Sequence, residues 1–183
     1  MKKLFFVLFS LTINVDTFAA FESTYEPLQS EKILFINGNI LDGEGNELLD
    51  TDLLIADGKI IAIGKGISVD DKDVKIIDAK NKWITPGIID IHSHMGVYPA
   101  PSVRTSSDGN EATSPVTAEV WAEHSMWVQD PQYALALKGG ITTFHVLPGS
   151  ANLIGGRGVT VKNLQRNTIQ SMKYPDAKHS LKM

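Results

Sequence analysis

The stretch Trp83-Ile84-Thr85-Pro86-Gly87-Ile88-Ile89-Asp90-Ile91-His92-Ser93-His94 constrains the chain most. Pro86-Gly87 interrupts one element, and a short apolar run opens at Ile88. Read as a strand, this run alternates between two faces. Ile89 and Ile91 then share one face, and Asp90, His92 and His94 share the other. Two imidazoles two positions apart on one side of a strand can reach a single metal ion. Zinc takes neutral histidine nitrogens as ligands, and a catalytic zinc keeps one position open for water. The outward isoleucine face suits a strand covered by helices, in a parallel sheet or a (β/α)8 barrel. In such barrels the chemistry sits at the C-terminal ends of the strands, where this pair falls. A lone His-x-His also occurs as the polar face of a half-buried strand.

The longer run, from Pro86-Gly87 through His92-Ser93-His94, resembles the first-strand signature of the amidohydrolase superfamily, metal-dependent hydrolases built on a TIM barrel. Gly140-Ile141-Thr142-Thr143 is similar to that family's second strand. The resemblance implies that His92 and His94 hold a divalent metal, zinc in the first instance. Asp90, on the same strand face, is placed to orient a ligand from behind. The activity implied is imidazolonepropionase-like: hydrolysis of non-peptide C–N bonds, in cyclic amides or amidines, by metal-activated water. Two alternatives stay open, a dipeptidase of the same superfamily and a non-catalytic binding protein on the same fold. The family's general base is usually an aspartate late in the barrel, so it is expected beyond residue 183. Some members bridge two metals through a carbamylated lysine. Nothing around Lys182 matches that motif, and the residue is not given the role.

Length and composition narrow the field further. The chain has 183 residues, 43% hydrophobic and 21% charged, an ordinary globular balance. A net charge of −4 without a basic run argues against a nucleic-acid partner and leaves a small-molecule substrate. The absence of cysteine excludes disulfides and thiolate metal sites. A whole (β/α)8 barrel takes about 250 residues, so residues 88–183 have room for roughly three βα units. The chain therefore reads as the N-terminal part of a longer α/β protein with an incomplete TIM barrel. Alone, it is expected to be inactive. Substrate, one metal or two, and oligomeric state are left open.

Four segments follow. Residues 1–20 read as a signal peptide: Lys2-Lys3, an apolar stretch over 4–13, and Thr17-Phe18-Ala19-Ala20 for cleavage after Ala19 or Ala20. The apolar stretch is short for a bilayer span, so a periplasmic or secreted protein without a stable anchor after cleavage is expected, the alternative being an uncleaved anchor. Residues 21–30 read as a linker. Residues 31–87 read as short strands punctuated at Asn37-Gly38, Gly43-Glu44-Gly45-Asn46 and Asp57-Gly58, the last a hairpin signal. This unit resembles the N-terminal part of the composite β-sandwich that precedes the barrel in many amidohydrolases.

Residues 88–183 read as the first barrel units. A loop over 95–115 carries Arg104 and Glu111, taken as solvated surface. Helices are expected over 117–126, with Thr117 as N-cap and His124 as a surface or packing residue, and over 131–138, between Asp130 and Gly139-Gly140. A strand over 141–147 puts Thr143 and His145 on one face, so His145 is expected to support a metal ligand from behind or to pack in the core. The glycine-rich loop over 148–158 lacks a Gly-Lys-Ser/Thr ending, which excludes a P-loop. Its Arg157 is a candidate for pairing with a substrate carboxylate. Short strands over 158–162 and from 179 onward complete the reading.

Overall fold

The computed structural model describes residues 20–70 and 72–183. The signal-peptide reading of residues 1–20 therefore lies, apart from Ala20, outside the described residues. The fold is mixed α/β and mostly sheet.

The first sheet contains β1 (Ile33–Leu41), β2 (Glu47–Ala56), β3 (Lys59–Gly64), β4 (Lys75–Asp78) and β5 (Trp83–Ile84). Its order is β3-β2-β1-β4, with β5 also on β1. β2 runs antiparallel to β1 and β3, whereas β4 and β5 run parallel to β1. Asp57 and Gly58 have φ of 51° and 69°, the two positive values of a tight hairpin turn. Asn37-Gly38 is not the turn that the sequence suggests, because β1 runs through it. Asn37 takes φ 59°. Its backbone N–H donates to Asp52 Oδ1 at 3.0 Å, and its side-chain amide donates to Asp78 Oδ1 at 3.1 Å. The ladder slips register there, so the strand bulges and continues. The expected sandwich half is a single sheet among the described residues, with Ile60, Ile61, Ile76 and Trp83 exposed on it.

The second sheet positions the site. It is built from β6 (Ile88–Ser93) and β7 (Ile141–Val146), which lie parallel, with α1 (Gln132–Lys138) in their connection. Asp130 Oδ1 accepts the Gln132 amide at 2.9 Å at the start of α1, and Gly140 at φ 89° follows its end. Next come β8 (Gly156–Arg157), β9 (Val159–Lys162) and β10 (Leu181–Lys182). β9 pairs with β7 antiparallel, so one parallel crossover is followed by a reversal rather than by further parallel strands. Phe144 and Val146 face Val161 and Val159 across that ladder, and all four are buried. With Val97, Tyr133 and Met172 they form the core. Burial of each such side chain is worth about 1.5–3 kcal/mol.

One expectation is corrected here. The helix expected over 117–126 does not form beyond a 3-10 turn at Ala122–His124. Thr117 N–H and Oγ1 both donate to the Ile154 carbonyl, and Val116 and Trp121 bridge to Ile154 and Arg157. The backbone of this β-branched and aromatic stretch is thus committed to a neighbouring loop rather than to its own turns. The start of the linker, residues 21–24, is docked. Phe21 N–H donates to Glu123 Oε1 at 2.9 Å, its carbonyl accepts from Lys173 Nζ at 2.5 Å, and Thr24 N–H donates to the Gln170 carbonyl at 3.0 Å. The isoleucine face of β6 is not covered by helices among the described residues: Ile88, Ile89 and Ile91 are all exposed.

Candidate metal centre

The ladder between β6 and β7 shifts register between Asp90 and Ser93, which places a bulge at the end of β6. Ser93 is buried, His92 is exposed and His94 is half-buried. The two imidazoles come together across the bulge, with ring centroids 5.3 Å apart and planes at 81°. Two imidazoles sharing a tetrahedral zinc, each about 2.1 Å from it through nitrogen, have ring centres roughly 5 Å apart. The separation of the rings matches that of two imidazoles on one ion.

Each ring has one nitrogen fixed. His94 Nδ1 lies 2.8 Å from the Leu147 carbonyl, just after β7. A carbonyl can only accept, so Nδ1 carries the proton and Nε2 keeps its lone pair, the support commonly seen behind a metal-bound histidine. His92 Nε2 lies 3.0 Å from Lys182 Nζ on β10. An ammonium can only donate, so this nitrogen also presents a lone pair, here toward a cation. Among the described residues no three His, Asp or Glu side chains converge as a cage. What converges is two imidazoles and one amine.

Asp90 is close by but acts differently from the expectation. Its Oδ1 accepts the backbone N–H of His92 at 3.1 Å, so it fixes the main chain of the bulge rather than an imidazole. His145 sits on β7 opposite Thr160 of β9. Its Nδ1 is 2.9 Å from Thr160 Oγ1 and its Nε2 is 2.5 Å from Ser180 Oγ. Both nitrogens are thus engaged away from the His92–His94 pair, and the ring holds the segment that leads into Lys182. Burial, then the proximity of His179 and His92, lowers its pKa below the ordinary histidine value.

Sequence reasoning missed Lys182. Its contact with His92 spans 90 positions, and no local pattern signals it. The pairing of Lys182 with Gly156 and of Leu181 with Arg157 brings it there.

Arg157 lies elsewhere in the same neighbourhood. Its guanidinium lies 4.6 Å over the Trp121 ring, and its backbone N–H donates to the Val120 carbonyl at 2.7 Å. Gly156 makes this approach possible: it has φ 120°, and a Cβ there would sit 2.7 Å from the Val120 carbonyl oxygen. Arg157 and Trp121 wall a cavity of about 720 Å³ shared with Asp108, Glu119 and Pro148. Glu111 borders it too, but its Oε1 accepts the Thr113 amide at 3.0 Å, and hydrogen bonds from Thr113 hold its carboxyl below the usual range. Arg104 is exposed in a 3-10 turn, and His124 packs against Phe21 with centroids 4.9 Å apart.

No family model matches the sequence. The chain is 35% identical over 114 residues to the amidohydrolase tasK of Hapsidospora irregularis, a match covering 61% of this chain and 12% of that protein. It is 34% identical over 117 residues to the dihydroorotase of Bacillus cytotoxicus, covering 64% of this chain and 21% of that enzyme. The crystal structure of an amidohydrolase from Thermotoga maritima MSB8 superposes with a TM-score of 0.68 at 37% identity, over 79% of this chain and 37% of that one. The chain thus spans between 12% and 21% of the length of these curated relatives. In sequence and in structure, the chain is thus similar to amidohydrolases and to a dihydroorotase.

Proposed function

We propose that the protein is a metal-dependent hydrolase of non-peptide C–N bonds in small molecules, cyclic amides or amidines by preference, with His92 and His94 as metal ligands. The observation that carries this reading is the paired geometry: ring centroids 5.3 Å apart, with His94 Nδ1 tied to the Leu147 carbonyl so that Nε2 is free. A divalent ion bound there, zinc in the first instance, provides a water with a pKa near 7 and polarises the scissile carbonyl. Asp90 supports the pair by fixing the His92 backbone, and His145 supports it at one remove through Ser180. β6 and β7 with the intervening α1 are read as the first βα unit and second strand of a (β/α)8 barrel, preceded by part of a β-sandwich over residues 31–87.

Two imidazoles hold zinc less firmly than a cage of three or four ligands. Among the described residues, the nearest carboxylate in sequence, Asp90, is engaged with main chain. The 183-residue chain by itself is therefore proposed to bind metal without turning over substrate, the general base being supplied elsewhere in the intact gene product. The leader-like sequence of residues 1–20 supports a periplasmic or secreted location as part of the same reading.

The test is a substrate panel on the intact, zinc-loaded gene product. Cyclic amides should be hydrolysed, with activity removed by chelation and by His92→Ala. Preference for dipeptides would favour a peptidase of the same superfamily. Full activity after chelation would overturn the proposal, and absence of bound zinc would favour a non-catalytic binding protein.

A further inference from the structure

We propose that the cavity walled by Arg157 and Trp121 binds a small zwitterion, holding a carboxylate at Arg157 and an ammonium toward Glu119 and Asp108. The ligand class is the amino-acid-like zwitterion. The inference concerns binding of the two charges and not the bond that is cleaved, so it stands apart from the hydrolase reading.

The guanidinium is pre-set for this task. It lies 4.6 Å over the Trp121 ring, and the bond from its own backbone N–H to Val120 fixes the base of the side chain. A planar guanidinium held against an aromatic ring keeps its edge free for a two-pronged bond to a carboxylate. Among the described residues no carboxylate takes that edge: the ion pairs are Lys65–Asp50 and Lys173–Glu123. Asp108 and Glu119 line the same cavity and likewise have no ion-pair partner among the described residues. Charges of both signs thus share one cavity of about 720 Å³ without touching each other.

Such a lining discriminates by sign. A simple anion reaching Arg157 meets the repulsion of Asp108 and Glu119, and a simple cation meets the guanidinium. A ligand carrying both charges avoids both costs. The cavity also adjoins the histidine pair. Pro148 in its wall follows Leu147, whose carbonyl holds His94. A Cβ placed on Gly155 would sit 3.6 Å from Lys182 Cγ and 3.8 Å from Pro148 Cβ, so only one small residue separates the two walls.

The test uses the 183-residue chain, kept metal-free because the probe chelates zinc. Glycylglycine, glycylglycinamide (no carboxylate) and N-acetylglycylglycine (no ammonium) are titrated by ligand-observed NMR. Glycylglycine should bind at least tenfold more tightly than either derivative. Arg157→Gln should weaken glycylglycine and the acetyl form at least tenfold and leave the amide within twofold. Glu119→Gln should weaken glycylglycine and the amide and spare the acetyl form. Circular dichroism checks the fold; should Arg157→Gln unfold, Arg157→Lys keeps the charge, removes the fork and should still cost severalfold. Equal binding of the three probes, binding of none, or an equal effect of the variants on all three would overturn the proposal. Zinc affinity is measured separately, so failure of the metal reading leaves this result intact, and failure here leaves the metal reading intact.

Discussion

Lys182 Nζ lies 3.0 Å from His92 Nε2, joining positions 90 residues apart at the edge of the histidine pair. Because an ammonium has only donors, the imidazole nitrogen is the acceptor, and its lone pair already faces positive charge. A metal ion must take the place of that ammonium. Lys182→Met should therefore tighten zinc binding by the 183-residue chain about three- to tenfold, since a repelling charge a few ångströms away is removed. Calorimetric titration with zinc checks this. A weaker affinity would show that the lysine nitrogen is itself a ligand.

His145 sets an acid limit on stability. Burial is the main cause of its lowered pKa, with His179 and His92 adding to it. The unfolded chain takes up a proton at the ordinary histidine value, about 6.5, whereas the folded chain resists it. Stability from this residue is thus present above about pH 6.5 and declines as the pH falls through that value toward the folded pKa. Urea midpoints measured at pH 7.5 and 5.5 should fall between the two, and the fall should shrink in His145→Gln. An NMR titration of the imidazole should give a midpoint below the ordinary one.

The Glu123–Lys173 pair clamps the segment that begins at Phe21. Its atoms are 2.6 Å apart, with the side chains 0% and 8% exposed respectively. Removing one partner leaves a buried charge uncompensated, so Glu123→Gln or Lys173→Met should each cost about 3–5 kcal/mol in denaturant unfolding. The double variant Glu123→Gln with Lys173→Met should cost less than the sum of these two single changes. Equal additivity would show that the pair is not coupled.

Gly156→Ala tests the local framework of Arg157. The residue holds φ 120°, and a Cβ would lie 2.7 Å from the Val120 carbonyl oxygen. Both strain and clash oppose the change, so a loss of about 1–3 kcal/mol is expected. Tryptophan fluorescence should also change, because Trp121 bridges to Arg157.

Local chemistry made much of this fold legible. Asp57-Gly58 turns because two positive φ values favour such residues, and α1 ends at Gly139-Gly140 as expected, although its N-cap is Pro131 rather than Asp130. The alternation of β7 separated His145 from Phe144 and Val146, which are buried. What could not be read was non-local. Asn37-Gly38 bulges because Asp52 and Asp78 meet Asn37 from other strands. Residues 117–121 stay out of a helix because Ile154 and Arg157 take their backbone partners. The histidine pair was legible from its spacing, but the bulge that turns His92 outward and the lysine that meets it depend on register with β7 and on β10.

Zinc titration of the 183-residue chain and of three single variants tests the central claim most directly. The chain should bind zinc through His92 and His94, with His92→Ala and His94→Ala each lowering the affinity at least tenfold and His124→Ala leaving it unchanged. Equal zinc affinity in the wild type and in either of the first two variants would contradict the account.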